Sequence, residues 1–239
     1  MLEARSLSKR YGDTLALDRL DLTVAPGEVF CLLGPNGAGK TTTVNLFLNF
    51  VSPTSGQALV CGIDAEKEPQ RARRALAYIP EMVTLYPALS GLENLGYFST
   101  LADGVQRPQG ELLRLLTQAG LDAARAAQKV GGYSKGMRQK VGIAIAMARG
   151  ARALLLDEPT SGLDPRAANE FAASIDALRR QGVAVLMVTH DLFLARQCAT
   201  RVGIMQRGRL VTVLDAATVD PAGLERVYLE SSMEEGLAA

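Results

Sequence analysis

From Leu2 to Val24 the chain alternates apolar and polar positions in short runs, with a turn at Tyr11–Asp13, and this pattern predicts antiparallel strands. Pro26–Glu28 interrupts the alternation. The compact apolar run that follows, Val29–Leu33, is of the kind buried on both faces of a sheet. Past a glycine-rich turn, Val44, Phe47, Leu48 and Val51 recur at helical spacing, so the order is strand, loop, helix. "SPTSG" closes that helix, and Gln57–Cys61 reads as a further strand.

Arg71–Ala75 ends a basic helical stretch, and Leu76–Ile79 predicts a strand that stops at Pro80. From about Leu89 to Arg149 almost every segment has helical character, and a helical subdomain inserted at about 84–149 is expected. In its last helix Met137, Val141, Ala144, Ile145 and Ala148 form one face, with Lys135, Arg138 and Gln139 expected on the opposite, polar one. Strand and helix then alternate: Ala153–Leu156, Pro165–Arg180, Val183–Val188, a short helix from Asp191, and a hairpin turning on Arg207-Gly208. The expectation is one α/β domain over 1–230, with an N-terminal antiparallel β subdomain, the helical insertion, and a frayed tail over 231–239.

Composition narrows the function classes. The 239 residues carry 26 basic and 25 acidic side chains, a balance that gives no general footing for nucleic acid. The longest apolar run found, Val141–Ala148, falls far short of the roughly 18 residues of a membrane span, and the N-terminal segment lacks the apolar stretch of a secretory signal. Cys31, Cys61 and Cys198 stand far apart without metal-ligand spacing and read as buried thiols of a reducing cytosol.

Chemistry enters at "GPNGAGKT", Gly34–Thr41, which fits G-x-x-x-x-G-K-[ST] between a buried strand and a helix. Gly34, Gly37 and Gly39 let the backbone curl through Pro35, Asn36 and Ala38, so that N–H groups up to Thr42 and the helix start face an anion. Lys40 supplies a cation for terminal phosphates, and the Thr41 hydroxyl is a ligand for Mg²⁺. A second segment, "ALLLDEPTSGLD", ends an apolar strand in two carboxylates. Asp157 is the expected Mg²⁺ ligand and Glu158 the general base for an attacking water. His190, the only histidine, ends another core strand at the edge where α/β sheets bind ligands, which suits it to the terminal phosphate or the attacking water.

The set "GPNGAGKT", "YSKGM", "LLLDEP", "SGLD" and His190, in this order, resembles the nucleotide-binding subunit of an ABC transporter over nearly the whole chain, from Tyr11 to the hairpin near Arg209. The resemblance implies a P-loop NTPase core, ATP as ligand with Mg²⁺, and hydrolysis that drives a separate integral membrane permease. In that family the segment matching "YSKGM" is usually L-S-G-G-Q. Ser134 and Gly136 match, whereas Tyr133, Lys135 and Met137 depart. The match implies that Ser134 and Gly136 contact the γ-phosphate of ATP held by a second ATP-binding subunit, with a homodimer the simplest arrangement. Lys135 either adds attraction or is a solvated surface residue.

By the same resemblance Tyr11 stacks on adenine or is simply a turn tyrosine, and Ser161–Asp164 is the loop that touches the partner subunit. Glu81 stands where the family usually has a glutamine that senses Mg²⁺ and water, so it joins Thr41 and Asp157 as a metal candidate with an added charge. "YIPE" with "YSKGMRQK" is similar to the exporter branch, and Leu85 and Tyr86 either meet the permease or are buried within this subunit. The implied location is the cytoplasmic face of the cell membrane, held through the permease. A soluble ABC ATPase, such as an iron–sulfur cluster assembly subunit, is the alternative.

Overall fold

The computed structural model describes residues 1–233. The alternating start forms β1 (Leu2–Tyr11) and β2 (Thr14–Val24), paired antiparallel across the turn that follows Tyr11. Then come β3 (Val29–Leu33), α1 (Lys40–Phe47), β4 (Ser55–Val60), β5 (Ile63–Asp64), α2 (Pro69–Ala75) and β6 (Leu76–Ile79). A helical stretch follows with α3 (Gly91–Asp103), α4 (Gln109–Gln118), α5 (Ala123–Ala126) and α6 (Lys135–Ala148). The remainder is β7 (Ala153–Asp157), α7 (Pro165–Arg180), β8 (Ala184–Thr189), α8 (Leu192–Cys198), β9 (Arg201–Gln206), β10 (Arg209–Asp215) and α9 (Pro221–Met233).

Two sheets organise these elements. One is antiparallel, in the order β2-β1-β4-β5. The other runs β10-β9-β3-β8-β7-β6 and is parallel except for the β10 edge. The central strands of the parallel sheet are apolar throughout because both of their faces are covered. Along β3, Val29, Cys31 and Leu33 enter one core while Phe30 and Leu32 enter the other. Strands β7 and β8 divide in the same way, with Leu154, Leu156, Val185 and Met187 on the first side and Leu155, Leu186 and Val188 on the second. The first core takes up the helices α3, α4, α6 and α7, and the second takes up α1 and the antiparallel sheet. Gly203 on β9 gives Phe30 its place, since an added Cβ would stand 2.7 Å from that ring.

Helix boundaries follow local chemistry. Ser90 accepts from the Glu93 N–H at 3.2 Å while the Glu93 carboxylate accepts from the Ser90 N–H at 2.7 Å, so a capping box starts α3. Ser134, Asp164 and Asp191 cap α6, α7 and α8 through their side chains.

Several expectations need correction. Gln139 is fully buried rather than on a polar face, because the Pro80–Glu81 backbone lies against it and accepts from its amide. Cys31 is buried, but Cys61 and Cys198 are only partly so. Leu85 lies inside the first core while Tyr86 is exposed, which separates two residues that the sequence pairs. Helix α9 is not foreseen; it continues through Met233 and takes up the start of the expected tail, whose residues 234–239 lie outside the described residues. Among the described residues, no helix is long and apolar enough to cross a membrane.

The far end of the loop that leads from β6 into the helical stretch is held by a side chain of α3. Buried Asn94 accepts from the Tyr86 N–H at 2.8 Å and donates to the carbonyls of Tyr86 at 3.1 Å and Ser90 at 2.9 Å. Replacing Asn94 by Ala leaves the Tyr86 N–H without its acceptor, while the Tyr86 and Ser90 carbonyls keep the N–H groups of Leu89 and Asn94, and is expected to cost about 1–3 kcal/mol of stability. Urea unfolding measures this, and an unchanged midpoint would show that other contacts hold the loop.

Candidate functional site

The carboxyl ends of β3, β7 and β8 lie side by side, since Leu33 pairs with Thr189 and Asp157 pairs with Val188. The loop after β3 passes directly into α1, and its shape requires glycine at two points. Gly39 has φ +105°, and a Cβ there would stand 2.6 Å from the Ala16 carbonyl oxygen. A Cβ on Gly34 would stand 2.3 Å from the Met205 carbonyl oxygen. The C-terminal hairpin props the same loop, with Gly208 N–H donating to the Ala38 carbonyl at 2.9 Å.

Unlike the helices capped above, α1 begins at Gly39 with no side-chain cap and no acidic residue in its first turn. Its leading N–H groups and the positive end of its dipole therefore face the cleft without an anionic partner from the chain. Lys40 is buried and folds back on the loop, its Nζ donating to the carbonyls of Gly34 at 2.6 Å and Pro35 at 3.0 Å. Burial lowers the Lys40 ammonium from its ordinary range, against the pull of Glu158 and Asp157. Thr41 is exposed at the helix start.

Across the cleft, Asp157 ends β7. Burial first, and the Glu158 charge second, raise its carboxyl above the ordinary value. The Tyr78 hydroxyl lies 3.5 Å from Asp157 Oδ2, and burial together with that carboxylate pushes the phenol up to about 12. Glu158 adopts φ 44°, a left-handed conformation that costs a non-glycine residue roughly 1–3 kcal/mol and that clusters at functional sites. The carboxylate is held on three sides: Thr189 Oγ1 donates to Oε2 at 2.9 Å, the His190 N–H to Oε2 at 3.4 Å, and His190 Nδ1 lies 2.9 Å from Oε1.

A cleft of 690 Å³ collects the wall formed by Tyr11, the loop from Asn36 to Thr42, Glu81, Asp157 and Glu158. Tyr11 is exposed, and Lys9 stands over its ring at 4.9 Å from the centroid. His190 is not part of this wall and reaches the site through Glu158. Ser134 and Gly136 are also absent from it. The Ser134 hydroxyl caps α6 by accepting from the Met137 N–H at 3.3 Å, and Gly136 is buried against Ala167 of α7. Thr189, Tyr78 and Gln139 complete the surroundings; of these, only Thr189 has a local sequence signal, its place directly before His190 at a strand end.

The donor set fits a nucleoside triphosphate with Mg²⁺: unpartnered N–H groups and Lys40 for phosphate oxygens, and the Thr41 hydroxyl and Asp157 carboxylate for a hard cation. Among the described residues no group of three or more His, Cys, Asp or Glu side chains is placed to hold a metal ion.

Comparison with known proteins agrees with this geometry. A family model described as "ABC transporter" matches residues 17–161. The chain is 36% identical over 211 residues to the probable multidrug ABC transporter ATP-binding protein YbhF of Escherichia coli, covering 88% of this chain and 36% of that relative. It thus spans about a third of that relative's length. It is 34% identical to Nod factor export ATP-binding protein I of Cupriavidus metallidurans, covering 88% of this chain and 70% of the relative. The solved dimeric structure of MJ0796, a bacterial ABC transporter cassette, matches with a TM-score of 0.79 at 26% identity, over 90% of this chain and 99% of that one. The matched segment contains the phosphate loop and both strand-end carboxylates, and with relatives of this similarity it establishes that the chain belongs to the ABC transporter family, among its ATP-binding proteins.

Proposed function

We propose that this chain is the ATP-hydrolysing motor subunit of an exporter, closing with a second copy around ATP and Mg²⁺ to drive a separate membrane permease. The observation that carries the reading is Glu158, left-handed in its backbone and with its carboxylate held by Thr189 and His190, at the strand ends that also bear the uncapped helix of the phosphate loop.

On this reading Lys40 leaves the carbonyls of Gly34 and Pro35 and turns to the terminal phosphates, and the N–H groups from Asn36 to Thr42 grip the rest of the chain of phosphates. Thr41 and Asp157, with Glu81 at the rim, hold Mg²⁺, which when bound offsets the charge of the phosphate oxygens. Glu158 accepts a proton from the attacking water, and His190 and Thr189 fix the orientation of its carboxylate. Tyr11 offers its ring to the base.

Two further elements of the proposal concern partners. Ser134 and Gly136 lie apart from this chain's own cleft, as groups that serve a second subunit's nucleotide would. The dimeric MJ0796 cassette supplies a precedent in the family for the pairing. Met82, Tyr86 and Tyr97 are exposed beside the helical stretch and offer an apolar seat for a permease segment, which would place the chain at the cytoplasmic face of the membrane. The exporter direction rests on the likeness to a Nod factor export protein and on the "YIPE" and "YSKGM" segments.

Glu158→Gln is expected to slow ATP turnover by about 10²-fold or more while nucleotide binding persists. In that variant, MgATP should convert the protein to a dimer in analytical ultracentrifugation. Retained hydrolysis would remove Glu158 from the base role, and a strict monomer beside the cognate permease would contradict the pairing. Lys40→Ala should weaken ATP binding about tenfold or more, as expected for the loss of a charged hydrogen-bond donor. Titration calorimetry checks this, and normal affinity would count against the phosphate-loop assignment.

A further inference from the structure

Glu81 is the third carboxylate in the wall of the cleft, beside Asp157 and Glu158. Its charge reaches Asp157, where it adds to the effects of burial and Glu158 in keeping that carboxyl raised. A ligand as anionic as a triphosphate meets all three unless one is offset. Of the cleft's own cations, Lys40 is bonded within the phosphate loop and Arg207 sits at the hairpin turn.

The partner of Glu81 comes from another element. Lys135, the first residue of α6, places Nζ 3.5 Å from Glu81 Oε1 and donates to the Ser161 carbonyl at 2.5 Å. One turn along the same helix, Gln139 Nε2 donates to the carbonyls of Pro80 at 3.3 Å and Glu81 at 3.1 Å. Helix α6 therefore holds Glu81 at both main chain and side chain, through positions i and i+4 of one face. The Ser161 hydroxyl also bonds the carboxylate, and the two contacts together keep Glu81 below its ordinary carboxyl range.

Stability does not account for the pair. The Glu81 and Lys135 side chains are 51% and 28% exposed, and an ion pair in such a setting contributes little to folding. Glu81 and Lys135 are also two of the positions where this chain departs from the motifs it resembles, a glutamine and a glycine in the family's usual pattern. The departures are in contact.

We propose that Lys135 is a positioning residue for Glu81, offsetting and aiming the third carboxylate so that an entering triphosphate faces two uncompensated carboxylates instead of three. The inference rests on the reading of the cleft as an ATP site. It accounts for how a glutamate is accommodated at the rim, and it assigns Lys135 a role within its own subunit.

The test compares five forms of the protein, wild type, Lys135→Met, Lys135→Arg, Glu81→Gln and the Lys135→Met/Glu81→Gln double variant, in ATP titrations with EDTA and again with Mg²⁺. Lys135→Met should weaken metal-free ATP binding about two- to fivefold, the range that a partly exposed ion pair supports, and should have no effect when Glu81 is already Gln. Lys135→Arg should keep wild-type affinity. Equal losses in both backgrounds would mean that Lys135 acts on the nucleotide or the fold directly, and no loss beside Glu81 would remove the compensation; either overturns the proposal. If wild type bound no ATP, the ATP reading would fall and this proposal with it, whereas ATP binding that does not depend on Lys135 would overturn the proposal alone.

Discussion

Parallel pairing among strands buried on both faces is the constraint from which the rest of this molecule follows. Because β3, β7 and β8 run in the same direction and are covered on both sides, their carboxyl ends emerge together at one edge. The groups placed for phosphate chemistry leave the sheet there: the phosphate loop after Leu33, the carboxylates at Asp157 and Glu158, and the Thr189-His190 pair. The loops at that edge differ in conformation, but their roots are fixed by ladder hydrogen bonds and by side chains that enter two cores alternately.

The electrostatics of the cleft are unsettled in the free protein. Burial disfavours the charged forms of both Lys40 and Asp157, and the two do not pair with each other; the lysine is satisfied by carbonyl oxygens instead. A ligand that brings both phosphate oxygens and a cation supplies each group with the partner it lacks. Selectivity for such a ligand therefore comes from separating the chain's own opposite charges, which no single anion or cation would satisfy equally well.

Much of this was legible in the sequence where one local period dominates. The β3 and β6 runs, the whole of α7 and the Arg207-Gly208 turn are read directly from apolar spacing and turn residues, and the phosphate loop from its glycines and lysine. The residues that sequence misplaces are those whose environment comes from distant segments. Gln139 has a polar side chain on a helix, and only the packing of the Pro80–Glu81 backbone against α6 reveals why it is buried. The role of Thr189 depends on Glu158 lying across a strand pair, and Lys135 meets Glu81 from a helix that begins far along the chain. Helix α9 escaped although Leu224, Val227 and Tyr228 recur at helical spacing, because Pro221 and Gly223 at its start read as a turn.

The place of β3 also bears on how the protein is made. Among the described residues its ladder partners are β8 and β9, and the turn that supports the phosphate loop follows β9. A ribosome thus delivers the nucleotide cradle early but its neighbours late, so the loop emerges without the walls that shape it, and long-range closure must await the last third of the chain. Until then Val29–Leu33 is an unpaired apolar strand, and protecting it from wrong partners becomes a burden on the cell rather than on the finished molecule.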